Sequence, residues 1–310
     1  QGAILTRVAS SHIRVGTFQY VAISEDEKAF KSLLNYTIKR HYPEIENLKN
    51  PALELLKLVM NKQCDLVINW MRVGFIHGVM NTDNMTISGE SIDYGPCAFM
   101  DKYNLKTVFS SIDQNGRYAY GNQPLITKWN LARFAETLLP YINKEKDKAI
   151  KIATDTINEF DSMYEKKWFE MMKAKLGLVD NNEKNKIIIS DLLKWMENNK
   201  VDYTNTFLFL MENNFRNFNI YKKDSFIEWH KKWQSLVSKK SLNIMKKTNP
   251  TIIPRNHIVE KVLKIAEQNN LKPFNKLIDL LKRPYQNYDD ISDYQKADQN
   301  SDKYRTFCGT

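Results

Sequence analysis

The most continuous hydrophobic pattern runs from Leu53 to Ile76, where apolar residues fall on nearly every side of a helical wheel. Patterning all round predicts a helix at the centre of the fold. Asn50 and Pro51 supply its start, because asparagine caps and proline suits the first turn. Lys57, Lys62, Asp65 and Arg72 interrupt the run, so it reads as a buried helix and not a bilayer span. Upstream, "AILTRVA" at 3–9 is short and β-branched, a strand or the entry to a helix. Residues 11–39 turn helical around an acidic insertion, "SEDEK", at 24–28. Downstream the central helix ends near Gly78 and a polar stretch begins. "MTISGESIDYG", from Met85, alternates, turns at Gly89–Glu90 and resumes at Ile92, which predicts a small hairpin. A loop rich in Ser, Asp and Gly follows over 96–121. Pro124 then opens an amphipathic helix carrying Leu125, Trp129, Leu131, Phe134, Ala135 and Leu138. Beyond Asn143 the chain is mostly helical, with breaks near 178–184 and 248–256. After Pro284 it becomes polar and Tyr/Asp-rich, a tail lying on the body. No internal repeat is evident.

The 310 residues suffice for one large domain or two small ones, and 42% hydrophobic with 12% aromatic content supplies a packed core. A charged fraction of 26% argues against wholesale disorder. The front of the chain carries no secretory signal, and "QGAILTRVAS" reads as the interior of a protein, so a fragment is expected. Three cysteines, Cys64, Cys97 and Cys308, exclude a disulfide framework and suit a reducing compartment. The five histidines are scattered, without zinc-ligand spacing. The net charge of +10 raises the question of nucleic acid. Much of the excess lies in paired lysines at 222–247, interleaved with Trp229, Trp233, Leu236, Val237, Leu242 and Ile244. That spacing favours an amphipathic helix with a solvated lysine face over a phosphate-tracking patch, and no nucleic-acid partner is expected.

The candidate chemistry sits in "HGVMNTDNMTISGESIDYGP", residues 77–96. Asp83, Asn84 and Asp93 are metal-competent, although short Asp/Asn clusters are commonly turns. A buried helix, a polar loop, a tight turn and then Asp-Tyr-Gly is the layout of a kinase catalytic loop leading into its metal-binding loop. Asn84 falls on the metal-binding Asn of that pattern, Asp93-Tyr94-Gly95 on Asp-Phe-Gly, and His77 on its His. The base position holds Val79, which cannot accept a proton, so ordinary γ-phosphoryl transfer is disfavoured and Asp83 is the nearest replacement. Asn84 and Asp93 suit Mg²⁺, a hard ion content with one or two protein ligands plus phosphate oxygens. An EF-hand fails, because Met85 takes a ligand position and no Glu closes the loop. Cys64 reads as a small core residue, and His77 also as a structural brace. By residue type alone, Arg7 and Arg14 read as surface residues.

"TRVASSHIRVGTFQY" (6–20), "GFIHGVMNTDNMTISGESIDYGPCAFMD" (74–101) and "GRYAYGNQPLITKWNLARFAETL" (116–138) together resemble the selenoprotein O family, kinase-like proteins that transfer AMP to protein hydroxyls. The resemblance is dense over residues 2–140 and continues, thinner, to the end. It implies a mainly α (α+β) protein-kinase-like large lobe with a small β-hairpin at the metal site and an incomplete small lobe. The expected domains are 1–20 as a remnant of the nucleotide-binding lobe, 21–283 as the helical lobe and 284–310 as the tail. The implied roles are Asp83 as proton acceptor, Asn84 and Asp93 on Mg²⁺ (or Mn²⁺) and nucleotide, and Arg7 and Arg14 on the phosphates of ATP. Arginine's planar fork suits that last task. Protein substrates bearing Ser, Thr or Tyr hydroxyls, a monomer and no membrane follow. So does a cytoplasmic location if bacterial, or mitochondrial if eukaryotic. The competing reading is a catalytically inactive, nucleotide-binding regulator. The family's glycine-containing loop and ion-pairing Lys and Glu have no counterpart in this sequence, so the segment alone is expected to be weakly active or inactive. The family also carries a Cys or selenocysteine third from the end, matched by Cys308, and a Cys97–Cys308 redox pair stands beside two free thiols as alternatives.

Overall fold

The computed structural model describes residues 4–180, 182–212, 219–286, 288, 291–298 and 300–307. Twelve helices are described, with one short antiparallel strand pair. The fold is therefore mainly α with a minor β component. Among the described residues no helix is long and apolar enough to cross a membrane. The chain divides into two compact units, Gln1–Asn69 with Val79–Gly95 and Asn122–Lys167, and Trp70–Gly78 with Pro96–Gly121 and Trp168–Thr310.

In the first unit, α1 (Val15–Ile23), α2 (Glu27–His41), most of α3 (Pro51–Val73) and α4 (Gln123–Ile142) surround one core. Asn50 starts α3 as its sequence predicts, its Oδ1 accepting from the Leu53 N–H at 3.1 Å. Leu55, Leu56, Val59, Cys64 and Val67 of α3 are fully buried. Burial pushes the Cys64 thiol up to about 11, the behaviour of an inert core thiol. Phe18 of α1 meets Phe30 of α2 and Phe134 of α4 edge-on, at centroid distances of 5.7 and 5.0 Å. Two buried donors reach across to the polar loop: Tyr42 Oη donates to the Ile87 carbonyl and Gln63 Nε2 to that of Thr86. Burial raises the Tyr42 phenol, which keeps it a donor. From α4, Asn130 Nδ2 donates to the Met80 carbonyl at 2.8 Å. Three side chains from three places thus fix the backbone of one loop.

The second unit holds the strand pair, β1 (Phe75–Ile76) with β2 (Ala98–Phe99), in the register Phe75↔Phe99. These strands lie on either side of the polar stretch in sequence, and the hairpin expected over 85–92 is not formed. Met85 and Ile87 are both buried, as their alternation predicts, but their backbone groups bond to residues 13–15 and not to a strand at Ile92. Gly78, at φ +85°, needs to be glycine, since a Cβ there would lie 2.7 Å from the Pro96 carbonyl oxygen. The lysine-rich segment forms two helices, α8 (Asp224–Gln234) and α9 (Lys239–Thr248), with all eight paired lysines exposed and Trp229 and Trp233 buried. Both indoles donate to backbone carbonyls, of Ile188 and Leu176, at 2.9 Å. This unit also buries an ionic cluster. Arg255, 1% exposed, holds the carboxylates of Asp101 and Asp202, bonding the latter at 2.8 and 3.2 Å. The tail returns to the body: Thr306 Oγ1 donates to the Pro96 carbonyl at 2.6 Å, and Tyr304 Oη to Glu260 at 3.0 Å.

Candidate active site

All five residues singled out around the polar loop fall in the first unit, and one backbone arrangement aligns Arg7 and Arg14 with the stretch that ends at Asp93. Residues 7–15 run antiparallel to residues 85–93 in a single register. The Val15 N–H donates to the Met85 carbonyl at 2.9 Å, and the Ile87 N–H to that of Ile13 at 3.0 Å. Arg14 bridges Thr86, Ser10 meets Glu90, and Arg7 pairs with Asp93 at 3.2 Å. The two arginines are therefore laid along the loop that carries the acids. Glu90 clasps the pairing: it accepts from the Ser10 N–H at 3.0 Å, the Ser10 hydroxyl at 3.1 Å and the Ser88 hydroxyl at 2.8 Å. Burial would raise its carboxyl, but these hydrogen bonds outweigh it and hold the group below its usual range.

Asp83 sits exposed on a 3₁₀ turn, Thr82–Asn84, that abuts the first turn of α1. The approach is tight, because a Cβ on Gly16 would lie 3.2 Å from both the Cα and the N of Asp83. Asn84 Nδ2 donates to the Val79 carbonyl at 3.0 Å, which leaves Oδ1, the oxygen that could ligate a metal, outside that bond. Asp93 is 20% exposed and its partner Arg7 50%, an ion pair open enough to water for a ligand to exchange with it. Arg14 is half-buried, and its Nε is a buried donor without a hydrogen-bond partner among the described residues. A buried, unmet guanidinium N–H is costly and is ready to take an oxyanion. Among the described residues no group of three His, Cys, Asp or Glu converges as a metal site. The donors of Asn84 and Asp93 are two hard oxygens, which fit Mg²⁺ completed by phosphate oxygens and water.

His77 lies elsewhere in its surroundings. It is 1% exposed, with the Trp70 ring at 5.3 Å and Phe75 at 6.3 Å, the setting of a packing residue. Cys97 is half-buried, and the expected pairing with Cys308 lies outside the described residues. Sequence reasoning passed over Gly16, Ser10 and Glu90. Their local signal is weak, since each acts on a residue more than sixty positions away.

The family model described as protein adenylyltransferase SelO matches residues 1–282. Three similar relatives each carry the name protein nucleotidyltransferase YdiU. That of Pelagibacter ubique is 54% identical, that of Bacillus mycoides 51% and that of Alcanivorax borkumensis 50%, each aligned over the whole of this chain. The chain spans 65–66% of the length of these relatives. With matches of that extent, the chain belongs to the SelO family.

Proposed function

We propose that this chain carries the acceptor- and phosphate-handling residues of a Mg²⁺-dependent protein adenylyltransferase, which moves AMP from ATP onto Ser, Thr or Tyr hydroxyls of proteins. The observation that supports it most is the register of residues 7–15 along 85–93, which sets two arginines against an acid-bearing loop. In this reading Arg7 and Arg14 bond phosphate oxygens, and Asn84 and Asp93 hold Mg²⁺, whose charge offsets that of the phosphates. Asp83 takes the proton of the attacking hydroxyl as its oxygen bonds the α-phosphorus and the α–β bridging bond breaks, releasing pyrophosphate. Residues 21–283 then form a protein-kinase-like large lobe, 1–20 the edge of a nucleotide-binding lobe and 284–310 a tail. Bacterial relatives favour a cytoplasmic protein; in this reading it acts, as a monomer, on protein substrates.

The test is to incubate the full-length protein with Mg²⁺ and ATP labelled at the α- or the γ-phosphate. Label on protein from the α-position alone is expected. Transfer from γ alone would make the protein a kinase with Asp83 as a displaced base, and ATP binding without any transfer would make it a regulator.

Gly16 gives a second test. The neighbour that a side chain there would meet is backbone, which yields less readily than a side-chain tip. Gly16→Val is expected to lower kcat by about tenfold or more with the KM for ATP nearly unchanged, because misplacing one reacting group acts on the chemical step. Wild-type turnover in that variant would remove Asp83 from the proton-accepting role or show its position to be uncritical.

A further inference from the structure

The second unit contains a cavity of about 320 Å³ that has no part in the chemistry above. Four cationic side chains line it: Lys102, Lys106, Lys200 and Arg305. Among the described lining residues the one carboxylate is Asp101, whose Oδ1 accepts from the buried guanidinium of Arg255. Cations gathered in one concave site with low-dielectric walls focus a positive potential into it. Lys200 strengthens the point, because its backbone is left-handed, at φ +51°, in the residue that ends α6 (Lys184–Asn199). Glycine is the easy occupant of such a position, yet here it carries a side chain that reaches the cavity.

An independent feature points to a ligand with hydrogen-bonding oxygens. Ser301 also lines the cavity, is only 6% exposed, and its buried hydroxyl has no hydrogen-bond partner among the described residues. A buried hydroxyl is rarely left unmet in a folded protein. The remaining wall mixes polar Asn104 and Thr107 with apolar Met100 and Val108 and the nearly buried rings of Tyr103 and Phe109. A phosphoryl group would meet the cations and the Ser301 hydroxyl, and an organic group of modest size would meet the rings.

We propose that this cavity binds a small phosphate monoester, held between the 102–106 segment and the carboxyl-terminal turn that supplies Ser301 and Arg305. Occupancy would also fasten the tail. Thr306, next to Arg305, already exchanges backbone bonds with Phe109 and Ser111, at 2.8 and 2.9 Å, and the ligand would add a second tie beside that one.

The experiment titrates the full-length protein with phenyl phosphate at fixed ionic strength, by calorimetry, with inorganic phosphate and phenyl sulfate as comparison probes. Saturable binding is expected, weakened about tenfold or more in Lys106→Ala/Lys200→Ala and in Ser301→Ala by several-fold. It should be unchanged in Lys239→Ala/Lys240→Ala, which removes two exposed lysines of α9. Phenyl phosphate should bind more tightly than either comparison probe. No saturable binding, or equal weakening by the α9 control, overturns the site. So does loss of binding in Arg7→Ala/Arg14→Ala with retention in Lys106→Ala/Lys200→Ala, which would place the ligand at the nucleotide arginines. Equal affinity for inorganic phosphate overturns the assignment to a monoester.

Discussion

Replacing Asp93 with alanine is expected to lower AMP transfer by about a hundredfold or more, while changing folding stability by less than about 1 kcal/mol. The asymmetry follows from where Asp93 sits. Its ion pair with Arg7 is partly open to water, so its loss costs little in the folded protein. In the proposed reaction the same carboxylate holds the cation that offsets phosphate charge, and its loss would leave only the neutral Asn84 as a protein ligand. Arg7→Ala separates the two roles. If Asp93 served only to hold Arg7 in place, both variants would lose the same activity. If it is a metal ligand, Asp93→Ala should be the worse of the two, and Asp93→Asn should recover part of its loss at raised Mg²⁺. Measured by α-labelled ATP, transfer by Asp93→Ala within a few-fold of wild type would sink the assignment.

The largest effect on stability is expected from Arg255→Met. Removing the cation of a buried ion pair leaves its partners charged and unsolvated, which destabilises by about 3–5 kcal/mol. Here two carboxylates are stranded, with the Asp101 side chain 1% exposed and that of Asp202 10%. The loss is read from denaturant unfolding and carries a pH signature. Burial already holds the Asp101 carboxyl above its ordinary 3.8, against the pull of Arg255. For an acid raised in this way the folded state binds its proton more tightly, so stability falls as pH rises from that ordinary value through the folded one. Without Arg255 the folded value rises further. The deficit of the variant should therefore be smaller at about pH 5 than at about pH 7.5. A deficit that ignores pH, or one below about 1 kcal/mol, would mean the carboxylates find other partners.

Much of this was legible in the chain, in ways that show what patterning can carry. Asn50 and Pro51 mark the start of α3 because caps are local, and the paired lysines read as a solvated face because Trp229 and Trp233 recur at helical spacing. The breaks near 178–184 and 248–256 fall between helices as expected. Alternation through Met85 and Ile87 gave the buried face correctly but not the partner, since period two is the same whichever strand supplies the bonds. Hence the hairpin was misplaced, and the pairing with residues 13–15 went unseen. By residue type Arg7 and Arg14 carry no mark of function; the family resemblance singled them out, and their long-range register with the acidic loop is visible only in the fold. Arg255 hides for the same reason, because a charged residue reads as exposed until its two acids are found beside it.

In the proposed reaction the Arg7–Asp93 pair would also govern how the site senses its ligands. At rest its cation and its acid neutralise each other. Arg7 drawn onto a phosphate leaves Asp93 with an unbalanced charge, and Asp93 engaged by a cation releases Arg7 toward phosphate. Each event makes the other easier, and by linkage the two enhancements are equal. In that reading nucleotide without metal, or metal without nucleotide, would have to break the pair alone and would be held more weakly. If Arg7 and Asp93 take the roles proposed above, the pair would work as a coincidence detector, answering to both ligands together and resisting either one by itself.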